Sequence, residues 1–232
     1  MKTFFYLCSK SFSMKRMVLD FLEGLQENNT REWFQEHKAQ YHEAKKEVEA
    51  FVNLLIPEIA RFDKSIRFVA AKDCIFRINR DIRFAKDKSP YKTNFGSWIT
   101  HAGRKSPGPG YYLHIQPGGC FLSMGVYMPD PDQLKKIRKE IYYNVSEFKA
   151  ILDDKKIRKF TGGLETVEKM KTAPRDFPRD FPDIDLLKHK HYVMSYPLQD
   201  GMIVSDKLFE TIVPVFRAVY PFNEFLRRAL ED

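Results

Sequence analysis

Cysteine is scarce in this sequence: Cys8, Cys74 and Cys120 are the only three in 232 residues. So few, so scattered, exclude a disulfide framework and a closed zinc site. Cys74 and Cys120 fall in strand-like runs, where a buried inert thiol is expected, and this fits a reducing, cytoplasmic location. No apolar run approaches the roughly 20 residues of a transmembrane helix, and charged residues make up 30% of the chain. No membrane partner is expected. The apolar stretch Thr3–Cys8 is shorter than a signal-peptide core of about 7–15 residues, and no small-residue cleavage site follows it. Residues 1–13 therefore read as an N-terminal extension, an upstream mis-start ahead of Met14. Residues 14–232 read as one domain.

The standard catalytic motifs are absent too. The chain has no P-loop, no G-x-G-x-x-G, no G-x-S-x-G, no H-E-x-x-H and no C-x-x-C. The commonest hydrolase, kinase, dinucleotide and zinc-protease readings are removed in their usual form, and no cofactor is implied.

What is present is apolar mass in a periodic arrangement. Hydrophobic residues make up 43% and aromatics 14%, with 20 Phe, enough for a substantial core. Met17, Val18, Phe21, Leu22 and Leu25 mark a short amphipathic helix that stops at Asn28-Asn29. Asn29, with Glu32 three residues on, has the form of a capping box. A second helix is expected over Thr30–Phe62, burying residues from Phe34 to Phe62 in steps of three and four. Trp33 should join the core, and Pro57 should kink the helix near its end. Alternation then predicts strands over Cys74–Arg80, Asn94–Thr100, Tyr111–Gln116 and Cys120–Tyr127, the last two joined at Pro117-Gly118-Gly119. Asp130-Pro131 opens another helix, Asn144 with Glu147 caps the next, and Lys171–Asp185 is irregular. Tyr192–Tyr196 reads as one more strand. Ser205 caps a helix through Val219, and Phe222–Leu230 closes the chain. The fold class is α+β: an antiparallel sheet of about 4–6 strands packed with N-terminal and C-terminal helices.

The net charge of +8 is concentrated in the middle of the chain. Its densest part is Lys72–Lys92, KDCIFRINRDIRFAKDKSPYK, with seven basic and three acidic residues. Alternation places Arg77 opposite Cys74, Phe76 and Ile78. Arg80, Arg83, Lys86 and Lys88 follow where the strand gives way to a loop, and burial of Phe84 would draw that loop onto the sheet. Guanidinium forks suit phosphate and carboxylate oxygens. Arg77, Arg80, Arg83, Lys86, Lys88, Tyr91 and Lys92 are therefore the candidate ligand-binding residues, with at least two arginines expected to converge on a concave site. An internal ion-pair network, in which Asp73, Asp81 and Asp87 tie the arginines down, explains the same residues.

Other candidates are weaker. His189 and His191 would share one strand face as half of a metal site, but Lys188 and Lys190 beside them favour a solvated basic turn, and no metal is expected. His114 pairs with Tyr112 on one strand face with Trp98 near, as a pocket lining or as an ordinary half-buried sheet face.

Three stretches together resemble a known family. LDFLEGLQENNTREWFQEHKAQY, FRINRDIRFAKDKSPYKTNFG and GYYLHIQPGG are similar to domain of unknown function 2461, conserved hypothetical proteins of bacteria with some fungal members. The resemblance runs from about Met17 to Leu226 and implies one α+β domain with no established activity, cofactor or partner. The chain departs from the family pattern at Pro174-Arg175-Asp176-Phe177 and Phe181-Pro182, where a P-R-G-F and a later H-P are usual. Three functions remain open: a binding or enzymatic domain for an anionic small molecule, a nucleic-acid module using the same cluster with the basic helices of Lys135–Lys159, and a structural or interaction domain with internally paired arginines. A pocket favours the first and a basic stripe the second.

Overall fold

A computed structural model describes residues 12–231 apart from Val167, so residues 1–11 of the expected extension lie outside the described residues. The opening stripe forms helix α1, Met17–Glu27, which buries Val18, Leu19, Phe21, Leu22 and Leu25. The single long helix expected next is two, α2 over Arg31–Glu36 and α3 over Lys38–Ala60. At the break His37 takes φ −101 and ψ 16, its ring nitrogen donates to Trp33 O at 2.8 Å, and its ring stacks on the half-buried Trp33. The Trp33 carbonyl also accepts from His37 N at 3.0 Å, so ring and backbone share one acceptor where the helix breaks, while the apolar stripe continues across it. The cap of α2 is Thr30, not Asn29: Thr30 Oγ1 accepts from Trp33 N at 3.2 Å. Asn29 instead takes both backbone groups of Tyr91, accepting from its N at 3.1 Å and donating to its O at 3.0 Å. An asparagine here does the work of a neighbouring strand.

The expected strand Cys74–Arg80 is replaced by a helical turn, α4 over Ala71–Cys74, and two isolated bridges. Ile75 pairs with Ser97 but Asn79 pairs with Tyr91, so four steps on one side face six on the other. That mismatch ends the regular ladder, and side-chain alternation fails across it. Phe76 and Ile78 consequently part company: Ile78 is buried in the core, and Phe76 is half-buried on the far face.

The sheet itself is fully antiparallel, in the order β1 (Phe95–Ile99), β2 (Gly110–Ile115), β3 (Phe121–Val126) and β4 (Tyr192–Pro197). Between β3 and β4 run α5 (Pro131–Tyr143), α6 (Val145–Leu152), α7 (Lys155–Phe160) and the short α8 (Ile184–Leu187). Asp130 caps α5 in a complete capping box with Gln133, and Pro131 stands at its first turn. Asn144 precedes α6 without a side-chain cap, because its amide donates to Glu140 at 3.1 Å. Most of Lys171–Asp185 lacks regular structure, as expected. After β4 come α9 (Asp200–Ile203) and α10, which runs unbroken over Leu208–Glu231 with Pro214 and Pro221 inside it.

Among the described residues, helices cover one face of the sheet. Phe95, Ile99, Tyr111, Leu113, Ile115, Leu122, Met124, Val126, Tyr192 and Met194 are buried beneath the helices. Helix α10 packs on β3 and on α3, α5, α6 and α7, and α3 also reaches β1. Each fully buried Val, Leu, Ile or Phe contributes about 1.5–3 kcal/mol, so this one-sided layer holds the fold. Asp63, just past α3, ties the layers: it is fully buried and accepts from Tyr111 Oη at 3.0 Å and Arg227 Nη2 at 2.6 Å. No helix among the described residues is long and apolar enough to cross a membrane.

Candidate functional site

The uncovered face of the sheet carries a cleft of about 880 Å³. Register explains its floor. Trp98, Tyr112, Ser123 and Ser195 are successive partners across the four strands, with His114 opposite Phe121 in the adjoining row. All six line the cleft and are half-buried. Gly96 makes room for this arrangement, since a Cβ there would lie 2.6 Å from Tyr112 Oη.

A hydrogen-bonded chain runs along β2. His114 Nε2 donates to Gln116 Oε1 at 2.9 Å, which leaves Nδ1 to accept from Tyr112 Oη, also at 2.9 Å. Burial holds the His114 imidazole below its ordinary range, in keeping with the neutral form this pattern requires. Burial, with the Tyr127 phenol nearby, pushes Tyr112 up to about 12. The floor therefore carries no charge of its own near neutral pH.

Charge enters at the edges. Beside β1, Lys92 holds its ammonium 5.2 Å from the centre of the Phe76 ring. Burial and then the neighbouring Arg77 lower its pKa, and among the described residues no carboxylate pairs with it. Arg104 joins the rim from the β1–β2 connection, anchored by Nη1 to Lys72 O at 3.0 Å. Beside β4, Glu165 is fixed through its backbone: its N–H donates to Val193 O at 2.9 Å, and its carbonyl accepts from His189 Nδ1 at 3.0 Å. Tyr127 and Met128 also stand on the rim. Met128 has φ 50, a left-handed conformation uncommon for its type. Its N–H donates to His191 Nδ1 at 3.0 Å, on whose ring Tyr127 stacks.

The candidate ligand-binding residues divide between cleft and loop. Lys92 alone among them lines the cleft, with the exposed Arg77 close enough to affect its charge. Tyr91 turns to the core and stacks on Phe34 at 4.0 Å. Arg80 pairs with Asp87 and donates to Ser89 O, and Arg83 closes on Asp81 at 2.9 and 2.6 Å. Lys88 donates to Ile82 O at 3.0 Å, and Lys86 is exposed. Two loop arginines thus meet the loop aspartates Asp87 and Asp81, while Asp73 makes no ion pair among the described residues. Phe84 does not draw the loop inward; it is 96% exposed. Among the histidines, His189 is buried rather than part of a solvated turn, and burial lowers it to about 4. No group of three metal-ligating side chains occurs among the described residues.

The clamp that Asn29 places on Tyr91 joins two of the stretches that carried the family resemblance. A family model matches residues 17–225. The chain belongs to DUF2461, a family of conserved hypothetical proteins. Every residue lining the cleft lies inside the matched span, so the cleft is part of the DUF2461 domain itself. No curated protein and no solved structure matches the chain.

Phe121, Ser123, Val193 and Ser195 follow from strand alternation once the open face is known. Arg104, Asp130, Gln133 and Glu165 carry no such signal, because they reach the cleft through loops and helix ends.

Proposed function

We propose that this protein binds a small molecule with an aromatic or apolar body and a phosphate or carboxylate group, seated in the open-face cleft with its anion at Lys92. The observation that carries this reading is Lys92 itself, a half-buried cation beside Arg77, with no carboxylate partner among the described residues. A half-buried ammonium without a carboxylate partner is costly unless an anion joins it. Trp98, Tyr112 and Phe121 offer ring faces for the body of the ligand, the mixture of apolar walls and few polar groups common to ligand sites. A cytoplasmic location accords with the buried reduced thiols of Cys74 and Cys120.

Isothermal titration with phenyl phosphate and indole-3-acetate tests the reading. Lys92→Met and Trp98→Ala should each weaken binding at least tenfold, about 1.4 kcal/mol. Arg83→Ala should leave it unchanged. Absence of saturable binding at roughly 10 mM probe would overturn the proposal.

A second reading has its own observation. Phe84 stands almost fully exposed between Arg83, whose guanidinium lies 5.9 Å from its ring, and Lys86 and Lys88. A ring among cations suits a base and phosphates of single-stranded nucleic acid. Labelled oligonucleotides should then bind at low salt, release steeply as salt rises, and bind less well to Phe84→Ala. No binding at low salt removes this second reading.

A further inference from the structure

The cleft is polarised from one edge of the sheet to the other, and that layout constrains its ligand. Lys92 and Arg104 stand on the β1 side. Glu165 stands beyond β4, where its backbone pairs with Val193. Glu165 is half-buried, and among the described residues no cation or hydrogen-bond donor meets its carboxylate. Asp130, the other acid on the rim, is already engaged, since its Oδ1 caps α5 by accepting from Gln133 N at 2.9 Å. The acidic end is therefore Glu165.

Between the two ends lie groups that suit a backbone rather than a bare hydrocarbon. Ser123 and Ser195 are direct cross-strand partners on the floor, and neither hydroxyl has a hydrogen-bond partner among the described residues. Each can donate to a carbonyl or accept from an amide. Beside them are the rings of Trp98, Tyr112 and Phe121. Four spacings of about 4.8 Å put roughly 19 Å of sheet between β1 and the Glu165 segment. Lys and Glu side chains reach inward from the two sides. That span bounds the ligand at about five extended residues at most.

We infer that the ligand is zwitterionic and of short-peptide length, with its carboxylate at Lys92, a protonated amine at Glu165 and apolar side chains on the aromatic floor. This inference rests on the cleft-binding reading and adds the second charge and the length. An unpaired carboxylate walled by protein favours a cation in its place, as an unpaired ammonium favours an anion.

The test is a cycle of end-group and side-chain changes. The probe is the tetrapeptide Ala-Phe-Phe-Ala with free ends, N-acetylated, C-amidated, or blocked at both ends. Each is titrated calorimetrically into wild type, Lys92→Met and Glu165→Gln, with phenyl phosphate as the one-ended control. Blocking either end should weaken binding to wild type at least tenfold. In Glu165→Gln, acetylation should no longer matter, amidation should still matter, and phenyl phosphate should bind as in wild type. In Lys92→Met the dependence should reverse. If phenyl phosphate binds through Lys92 but acetylation has no effect on wild type, the two-ended ligand is refuted and the cleft reading stands. If Glu165→Gln weakens free and acetylated peptides equally, the inference also fails. If neither phenyl phosphate nor any peptide binds, both readings fall together.

Discussion

Removing the Asp63 carboxylate tests directly how the helix layer is fastened to the sheet. Its Oδ2 accepts from Tyr111 Oη at 3.0 Å and Arg227 Nη2 at 2.6 Å, and its Oδ1 accepts from Ser65 N and Oγ. One carboxylate thereby joins the end of α3, strand β2 and helix α10. Asp63→Ala leaves a buried phenol and a largely buried guanidinium without their acceptor. Breaking a buried pair from one side costs about 3–5 kcal/mol. Arg227 retains Glu224 and 15% side-chain exposure, which places the loss at the lower end, about 3 kcal/mol. For a chain of this size that lowers Tm by about 6–12 °C, at about 2–4 °C per kcal/mol. Tyr111→Phe removes one hydrogen bond to a charged acceptor and should cost about 1.5–3 kcal/mol. Asp63→Ala combined with Arg227→Met removes both charges, so it should cost less than the two single losses together by more than about 1 kcal/mol. Urea unfolding followed by far-UV circular dichroism measures the wild type, these three variants and Arg227→Met alone. A loss below about 1 kcal/mol for Asp63→Ala would refute the argument that this carboxylate fastens the layers.

Three further outcomes are expected. Gly96→Ala places a methyl group 2.6 Å from Tyr112 Oη, so the ring should swing away from His114. Stability should fall by about 1 kcal/mol while calorimetric affinity for phenyl phosphate drops severalfold; unchanged affinity would separate Tyr112 from the cleft's function. His189 has a folded pKa of about 4 against an ordinary 6.5, through burial first and Lys169 second. Its contribution is present above pH 6.5 and lost as pH falls through 4, by up to about 3 kcal/mol. Denaturation at stepped pH should find that slope and His189→Asn should flatten it. Burial pushes the Cys74 and Cys120 thiols up to about 12 and about 11. Iodoacetamide at pH 8 should therefore leave both unmodified in the native protein and label both after unfolding, read by mass spectrometry.

The helices and the four strands could be read from the sequence because their periods are properties of the chain alone. Tyr112 and His114 alternate with Tyr111, Leu113 and Ile115, so one strand announces both its faces. The segment Cys74–Arg80 alternates equally well and still is not a strand. Its regularity depends on the partner segment around Tyr91–Ser97, whose two extra residues no local pattern reveals. The basic loop was visible as a charge cluster, but whether Arg80 and Arg83 face a ligand or Asp87 and Asp81 depends on how the loop closes on itself. Glu165 had no local signal at all. A buried histidine 24 residues later holds its carbonyl, and the edge of β4 holds its N–H.

A sheet covered on one side writes two messages in each strand, on alternate letters. Substitutions at Trp98, Tyr112, Ser123 and Ser195 edit one message, and substitutions at Ile99, Leu113, Met124 and Met194 edit the other. The first set faces the cleft rather than the core, so related chains can diverge in what they recognise while keeping the same interior. A combinatorial library confined to those four outward positions should therefore yield mostly folded members with altered preferences. The same number of changes on the inward positions should yield mostly unfolded ones.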